Sequence, residues 1–314
     1  MPVRDGGLGI RRVASLALPA FLASAASTLP LQDDILSRSL ASAMPCPFFS
    51  SFVSRWSSVF GELPLDQPMP GKQLFWDRPG VIADKEVVKS KLSTDRDWAS
   101  FMVATAAHSG DWLLALPIVA CGLRLEDEAI RTAVALRLGL TLCVPHVCHC
   151  GAQVDAFGTH SFVCKRAPGK IARHQAINDI FVRALASADM PSTKEPNGLL
   201  SSDNKRPDGL TLLPWSGGKP LAWDVTVICP LADSYLRISR STSAGAAELA
   251  ATRKLDKYAS LPNSYSFQPL AFESLGTMNA SALSFISDLA RKIKVNSNEE
   301  REATFLFQRL AVTI

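Results

Sequence analysis

Three cysteines and a histidine lie in one short polar segment at spacings that suit a single metal ion. The segment begins with Cys148-His-Cys150, continues for nine residues, and ends with His160 and, four positions later, Cys164. Tetrahedral zinc sites are commonly built from such Cys₃His sets. Residues four apart share one face of a helical turn, so His160 and Cys164 can meet one ion. Because the segment has few apolar anchors, bound zinc would supply free energy that orders it.

The cysteine count as a whole also favours a metal site over disulfides. The chain has seven cysteines, an odd number, and Cys143 brings four of them within 22 residues. The N-terminal residues do not fit a secretory signal, so we expect the thiols to be reduced. Cys143, His146 and His149 remain alternative ligands. A full set of four protein ligands leaves no open position for water, so the zinc is predicted to be structural.

Two aspartates are predicted to meet on neighbouring strands. Asp208 precedes an extended run at 210–213, and Asp224 lies inside a second run at 221–228. A Gly-rich connection between the runs indicates a hairpin. The hairpin would bring the two carboxylates together, where they repel each other unless a cation lies between them. Mg²⁺ is the expected cation, because it prefers oxygen ligands and keeps several waters.

Nearby side chains could complete a site that hydrolyses a phosphodiester. Lys254 and Lys257 lie in a predicted helix, and Tyr258 follows them directly. Glu195 could be a further metal ligand, or could orient one. In such sites a metal activates water and a lysine stabilises the developing charge. The spacing does not decide which of the two lysines has this role.

Basic residues are concentrated around these motifs. The whole chain has a net charge of only +4, but residues 165–257 contain 14 Lys and Arg against 9 Asp and Glu. A basic face there would neutralise phosphates, which is the sequence-independent part of nucleic-acid binding. The alternative is an ordinary solvated surface.

The order of the predicted elements indicates an α+β protein. From residue 172 onward, helices and short extended runs follow one another, which is typical of a sheet flanked by helices. We predict a helical region over 1–141, a zinc knuckle over 142–166, a mixed-sheet domain over 167–275 and closing helices over 276–314.

The apolar stretches are too short to predict a membrane span. The longest are 13–26 and 113–123, against the roughly 18 apolar residues that a span needs. We therefore expect an intracellular protein with no membrane partner. A role on chromosomal DNA would place it in the nucleus.

Several motifs follow one another along the second half of the chain. They are the Cys/His knuckle, Arg173-His174 with Asn178-Asp179, Arg-Pro-Asp208, Trp-Asp224-Val-Thr and Lys254-Leu-Asp-Lys257-Tyr258. Their order resembles the C-terminal part of non-LTR retrotransposon reverse transcriptase polyproteins that carry a restriction-like endonuclease. The resemblance implies a PD-(D/E)XK nuclease core, and nicking of target DNA to prime reverse transcription.

The resemblance also implies roles for individual residues. The catalytic set would be Asp208, Asp224, Lys254, Lys257, Glu195 and Tyr258, with Mg²⁺ on the two aspartates. The nucleic-acid contacts would be Lys165, Arg166, Lys170, Arg173, His174 and Arg206. A packing or capping role is the alternative for His174. The partners would be DNA and the element's own RNA.

The N-terminal segment fits the same resemblance. Gly6-Gly7-Leu8-Gly9-Ile10 resembles the start of a polymerase thumb, so 1–141 would be a thumb and linker region.

The chain departs from the resembling family in two respects. No Tyr/Phe-x-Asp-Asp polymerase motif is present, so we expect part of a longer reading frame whose polymerase half lies elsewhere. Thr226 stands where restriction enzymes carry the catalytic lysine. The alternative functions are an inactive nucleic-acid-binding remnant and a zinc-stapled interaction protein.

Overall fold

The computed structural model describes residues 1–37, 47–61, 71–199 and 206–314. Within these ranges the chain divides into two compact units, Met1–Leu92 and Ser93–Ile314. The first contains helices, and the second combines helices with two sheets. The prediction of an α+β protein is therefore confirmed.

The first unit is built from α1 (Val13–Ser37), α2 (Pro47–Phe60) and α3 (Gln73–Lys89). The indole N–H of buried Trp56 donates to the main-chain oxygen of Trp76 at 2.8 Å, which satisfies the one polar group that this side chain buries.

The helix α1 is more continuous than the sequence pattern suggested. Its segment Val13–Gln32 is long and apolar enough to cross a membrane, by length and composition. The apolar stretch predicted from the sequence ended at residue 26 and was interrupted by Ser and Pro. In the folded unit, Leu22, Ala23 and Ala26 of this helix are buried.

The second unit begins with helices and continues into the sheet region. The first elements are α4 (Asp95–Ala104), α5 (Asp111–Leu114), α6 (Asp127–Leu138), β1 (His146–Val147), β2 (Gln153–Val154) and α7 (His160–Val163). The remaining elements are α8 (Gly169–Ser187), β3 (Ser192–Lys194), β4 (Gly209–Thr211), β5 (Leu221–Ile228), α9 (Asp233–Ser239), α10 (Gly245–Lys257), β6 (Ser266–Glu273), α11 (Ala280–Ser297) and α12 (Glu302–Thr313). The boundaries predicted at 141, 166 and 275 all lie inside this unit.

The main sheet has four strands in the order β3-β4-β5-β6. The pairs β3–β4 and β4–β5 are antiparallel, whereas β5 and β6 are parallel. A parallel pair needs a crossover connection, which α9 and α10 supply here. The crossover returns the chain to β5, and this places α10 against β5 and β6.

Helices cover both faces of the sheet. On one face, Trp223 and Val225 of β5 and Phe272 of β6 join a core with α8, α11 and α12. On the other face, Ala271 of β6 packs against the alanines of α10. Successive residues of a strand point to opposite faces. Asp224, between Trp223 and Val225, therefore points toward α10.

The hairpin between β4 and β5 depends on a glycine. A Cβ atom at Gly209 would lie 2.0 Å from Cζ2 of the fully buried Trp223. Because glycine has no side chain, β4 can pass close to the indole ring of Trp223. This close approach allows Gly209 to pair with Trp223, and it places the preceding residue, Asp208, beside β5.

We expect Gly209→Ala to lower the free energy of unfolding by about 1–3 kcal/mol, because the added methyl group overpacks the core against Trp223. Urea unfolding followed by circular dichroism measures this change. Gly169→Ala is the matched control, since a Cβ atom there meets nothing within 4 Å. Equal midpoints for the two variants would contradict the expectation.

Candidate metal centre and acidic site

The four predicted zinc ligands come together in space. The ligand atoms of Cys148, Cys150, His160 and Cys164 all lie within 4.8 Å of one another. The Sγ atoms of Cys148 and Cys164 are 3.9 Å apart, and Cys150 Sγ is 3.1 Å from His160 Nε2. One tetrahedral ion can therefore reach all four residues.

Local structure explains how the cluster forms. The N–H of Gly151 donates to the oxygen of Cys148 at 2.7 Å, and Gly151 has a φ of 91°, which glycine adopts freely. This turn joins β1 to β2 and brings the first two cysteines together. The short helix α7 begins at His160, and Cys164 directly follows it. The predicted turn and helical spacing are both present.

Two of the three alternative ligands, Cys143 and His146, lie in other contacts. Cys143 Sγ is 3.3 Å from the oxygen of Asp155, and His146 Nδ1 is 2.9 Å from the oxygen of Val144. Neither belongs to the group whose ligand atoms converge. The main-chain N–H of Ala152, hydrogen-bonded to Cys150, lowers the pKa of that thiol to about 7. A lowered thiol pKa favours the thiolate that metal binding requires.

The second cluster is centred on the two aspartates. Gly209 pairs with Trp223, and the N–H of Asp208 donates to the oxygen of Trp223 at 2.9 Å. Asp208 and Asp224 are therefore neighbours across the β4–β5 pair, as the hairpin predicted. The N–H of Val225 donates to Asp208 Oδ2 at 2.6 Å, which fixes the first carboxylate.

Asp224 is buried and surrounded by donors. Its side chain is only 4% exposed. Lys254 Nζ contacts Oδ1, while Lys257 Nζ is 3.3 Å from Oδ2 and the Tyr258 hydroxyl also reaches Oδ2. A buried carboxylate is costly unless it is paired and hydrogen-bonded, and these groups satisfy it. The structure thus brings both candidate lysines to the same aspartate.

Tyr258 links this aspartate to the start of the hairpin. Its hydroxyl lies 2.7 Å from the oxygen of Arg206 and accepts a hydrogen bond from Lys257 at 2.8 Å. Burial, and then the adjacent Asp224 carboxylate, raise the pKa of Tyr258 above its usual value. The phenol therefore remains a hydrogen-bond donor at neutral pH.

His174 of α8 pairs with Asp208. Its Nε2 atom is 3.0 Å from Asp208 Oδ2, and the hydrogen bond to this carboxylate raises the pKa of His174. Burial alone would raise the pKa of Asp208, but the hydrogen bonds from His174 and Val225 outweigh it, so the pKa of Asp208 is lowered. Asp208 is therefore ionised at neutral pH.

Asn178 holds α8 to the strand that carries the site, a role that the motif alone did not assign. Its side-chain oxygen accepts from Trp223 Nε1 at 3.0 Å, and its amide donates to the oxygen of His174 at 3.2 Å. In the sequence, the only indication of this role was that Asn178, an amide, follows His174 by one helical turn. Its partner Trp223 is 45 residues away, and no local spacing reveals that contact.

Glu195 lies on the same row of the sheet as the two aspartates. Its N–H donates to the oxygen of Asp208 at 2.9 Å, just beyond the end of β3. Its φ is 45°, a left-handed value that is uncommon outside glycine. The backbone of Glu195 is therefore beside the site, and its side chain is exposed.

The predicted nucleic-acid contacts divide into exposed and partly buried residues. Lys165, Arg166 and Arg206 are exposed, whereas Lys170, Arg173 and His174 are partly buried. Arg173 donates to the oxygen of Ile314 at 3.1 Å, and burial lowers its pKa.

A groove of about 350 Å³ opens beside the acidic site. It is lined by Lys170, Arg173, His174 and Lys254, and its floor is β5 at residues 225–227. Thr226 lies on this floor, and Lys254 of α10 lines the same groove. Four basic side chains around one groove are suited to a phosphate backbone.

The helix that carries both lysines is held at its first turn by a buried acid. Glu273, 0% exposed at the end of β6, accepts hydrogen bonds from the N–H of Ala247 in α10 and from the Thr277 hydroxyl. Burial raises the pKa of Glu273 above its usual value.

A raised carboxyl pKa means that the folded chain keeps its proton to a higher pH than the unfolded chain, so stability falls as pH rises between the two pKa values. We expect the stability of the wild type relative to Glu273→Gln to decrease from about pH 4.5, the ordinary pKa of a glutamate, upward. Urea unfolding of both proteins across this pH range measures the difference. A difference that is constant with pH would contradict the expectation, and Glu126→Gln, at an exposed glutamate, is the control.

Comparison of the sequence with protein-family models and with curated proteins identified no related protein. No family model matches the chain, and no curated protein is detectably similar to it. The functional assignment therefore depends on the chemistry of the two clusters and the groove.

Proposed function

We propose that the chain is a metal-dependent DNA endonuclease with a structural zinc knuckle, of the kind that ends non-LTR retrotransposon reverse transcriptase proteins. One observation carries the proposal: Asp208, directly before β4, lies beside Asp224 of the antiparallel strand β5, each with a basic partner, at the edge of a groove lined by basic side chains. A mixed sheet with α8 and α10 on opposite faces supports a PD-(D/E)XK-type core.

The residues of the acidic site suit a magnesium ion. Asp208 and Asp224 supply the hard oxygen ligands that Mg²⁺ prefers, and Glu195 stands beside them on the sheet. When bound, Mg²⁺ would activate water and neutralise charge on the phosphodiester. The Cys₃His cluster likewise suits Zn²⁺, with all four positions taken by protein.

The chain's own side chains have distinct tasks in this proposal. Lys254 lines the groove and contacts Asp224, so it can stabilise charge on a phosphate bound there. Lys257 instead donates to Tyr258 and Asp224, and holds that carboxylate in place. His174 orients Asp208. Lys254 is therefore the better candidate for the catalytic lysine.

The groove and the knuckle define the proposed partners. The groove residues Lys170, Arg173, His174 and Lys254 would contact the DNA backbone. Lys165 and Arg166, directly after the last zinc ligand, would extend this surface toward the knuckle. A retrotransposon role would add the element's RNA as a second partner, a polymerase half in the full-length protein, and nuclear localisation.

Incubation with supercoiled plasmid tests the proposal. We expect the purified chain to nick the plasmid with Mg²⁺ and not with a chelator, and Asp208→Asn to be inactive. Asp179→Asn is a matched control, because Asp179 is an acid on α8 that pairs with Lys194 away from the two aspartates. Nicking that continues in Asp208→Asn would refute the assignment.

One observation favours a second candidate, a nucleic-acid-binding protein without cleavage activity. The charge on Asp224 is already balanced by two lysine ammonium groups. Such an ion-pair network can hold the strand and helix together without a metal. DNA binding that is independent of Mg²⁺, with no nicking at any Mg²⁺ concentration, would support this candidate.

A further inference from the structure

Arg96 connects α4 to the loop between the two halves of the cysteine-histidine cluster. Its Nη2 atom donates to the Thr159 hydroxyl at 2.7 Å. The centre of its guanidinium lies 4.1 Å from the centre of the Phe157 ring. Its Nη1 atom is 3.8 Å from Asp155 Oδ2. One side chain thus contacts three residues of the same five-residue stretch.

This stretch sets the position of a ligand. Thr159 directly precedes His160, and the N–H of Thr159 donates to Asp155 Oδ1 at 3.3 Å. Arg96, Asp155 and Thr159 therefore form a small polar network, and Thr159 directly precedes the predicted ligand His160. With Thr159 held, His160 begins α7 in the place where its Nε2 atom faces Cys150.

The helix that carries Arg96 is fixed by a capping box at its N-terminus and by apolar packing. The helix α4 begins with a capping box, in which the Thr94 hydroxyl accepts from the N–H of Asp97 and the Asp97 carboxylate accepts from the N–H of Thr94. One turn later, Ala99 is fully buried against Leu231, in a cluster that Phe162 of α7 also joins. The loop is therefore held to α4 by the contacts of Arg96, and Phe162 of the following helix α7 packs on the apolar cluster that contains Ala99.

We infer that Arg96 is a positioning residue for the metal centre, which holds residues 155–159 so that His160 completes the four-ligand set before the ion binds. The inference rests on the zinc occupancy that is part of the proposed function. It is independent of DNA cleavage.

The chemistry of the contact requires arginine. A planar guanidinium can donate to Thr159 and stack on Phe157 at the same time. Lysine keeps the charge but has neither the fork nor the plane, and alanine removes both contacts. Residues that orient a ligand from outside the coordination sphere typically change metal affinity about 10- to 100-fold when they are removed.

The experiment compares zinc affinity in the full chain and three variants. Arg96→Ala and Arg96→Lys remove or weaken the contact. Arg240→Ala is the matched control, because Arg240 pairs with Asp95, the neighbour of Arg96 on the same helix. Competition with a chromophoric chelator gives the zinc affinity, and Co²⁺ substitution gives the thiolate-to-metal absorption of the site.

We expect Arg96→Ala to bind zinc about 10- to 100-fold more weakly, Arg96→Lys to fall between it and the wild type, and Arg240→Ala to match the wild type. The Co²⁺ spectrum should keep its intensity at saturation, since the ligands are unchanged. If Arg96 only stabilises the fold, Arg96→Ala will lower the melting temperatures of the metal-free and zinc-loaded protein equally and leave the zinc affinity unchanged. That result would overturn the inference. A wild-type chain that binds no zinc would overturn both the occupancy and the inference.

Discussion

Asp224→Asn is expected to reduce the rate of plasmid nicking by about 1,000-fold or more. Removal of one preorganised group that stabilises a transition state commonly lowers kcat by about 100- to 1,000-fold, and we expect the upper end of that range here. The substitution keeps the shape of the side chain but removes its charge. Lys254, Lys257 and Tyr258 all converge on this carboxylate. Its loss therefore removes a proposed Mg²⁺ ligand and, at the same time, the ion-pair partner of the groove lysine Lys254.

The same substitution separates DNA binding from DNA cleavage. Lys254 and Lys257 lose their shared counter-ion, so the variant has more positive charge at the groove. We expect its affinity for plasmid DNA to be equal to or higher than that of the wild type while its nicking is lost. Gel-shift assays at several salt concentrations, beside the nicking assay, measure both quantities.

Two results would contradict this expectation. Unchanged nicking would exclude Asp224 from the reaction. A parallel loss of binding and nicking, with a collapsed circular dichroism spectrum, would show that the site had unfolded. Asp179→Asn again provides the control, since it removes one partly exposed acid of α8 that pairs with Lys194 and not with the two aspartates.

Removal of the metal is expected to have the second-largest effect. Structural zinc in finger peptides has an apparent binding free energy of about 10–16 kcal/mol, and its removal commonly unfolds the segment that carries it. We expect chelation to disorder residues 146–164. The core formed by α8, α11 and the main sheet should remain folded, because it has its own buried apolar residues.

Hydrogen exchange of the full chain with and without a chelator measures this effect. Exchange should accelerate over residues 146–164 and stay slow in α8 and β5. Cys164→Ser should behave as the chelated protein, whereas Cys143→Ser should behave as the wild type, because Cys143 is outside the converging set. Equal exchange with and without chelator in the zinc-loaded protein would contradict a structural metal.

The two clusters are connected through one helix. Cys164 closes the cysteine-histidine cluster, and α8 begins five residues later at Gly169. Lys170 and His174 then lie on successive turns of α8 and line the groove. A knuckle held by zinc and by Arg96 would thus fix the start of the helix that orients Asp208.

Local sequence was sufficient to predict the features that depend on short spacings. The four metal-binding side chains are recognisable because Cys and His are the ligands that zinc prefers, and a turn and a short helix bring them together. The run 221–228 is β5 with the same bounds, since its apolar residues suit a strand covered on both faces. The pairing of Asp208 with Asp224 followed from a hairpin, which is also a local structure.

The remaining features were decided by contacts between residues that are distant in sequence. Lys254 reaches Asp224 across 30 residues because the parallel β5–β6 pair turns the intervening chain back over the sheet. Asn178 meets Trp223 across 45 residues, and Arg96 meets Thr159 across 63. No spacing rule covers such pairs, because packing of the sheet and helices selects them. The sequence alone thus determined the chemistry available to this protein, and only the tertiary structure decided which groups share a site.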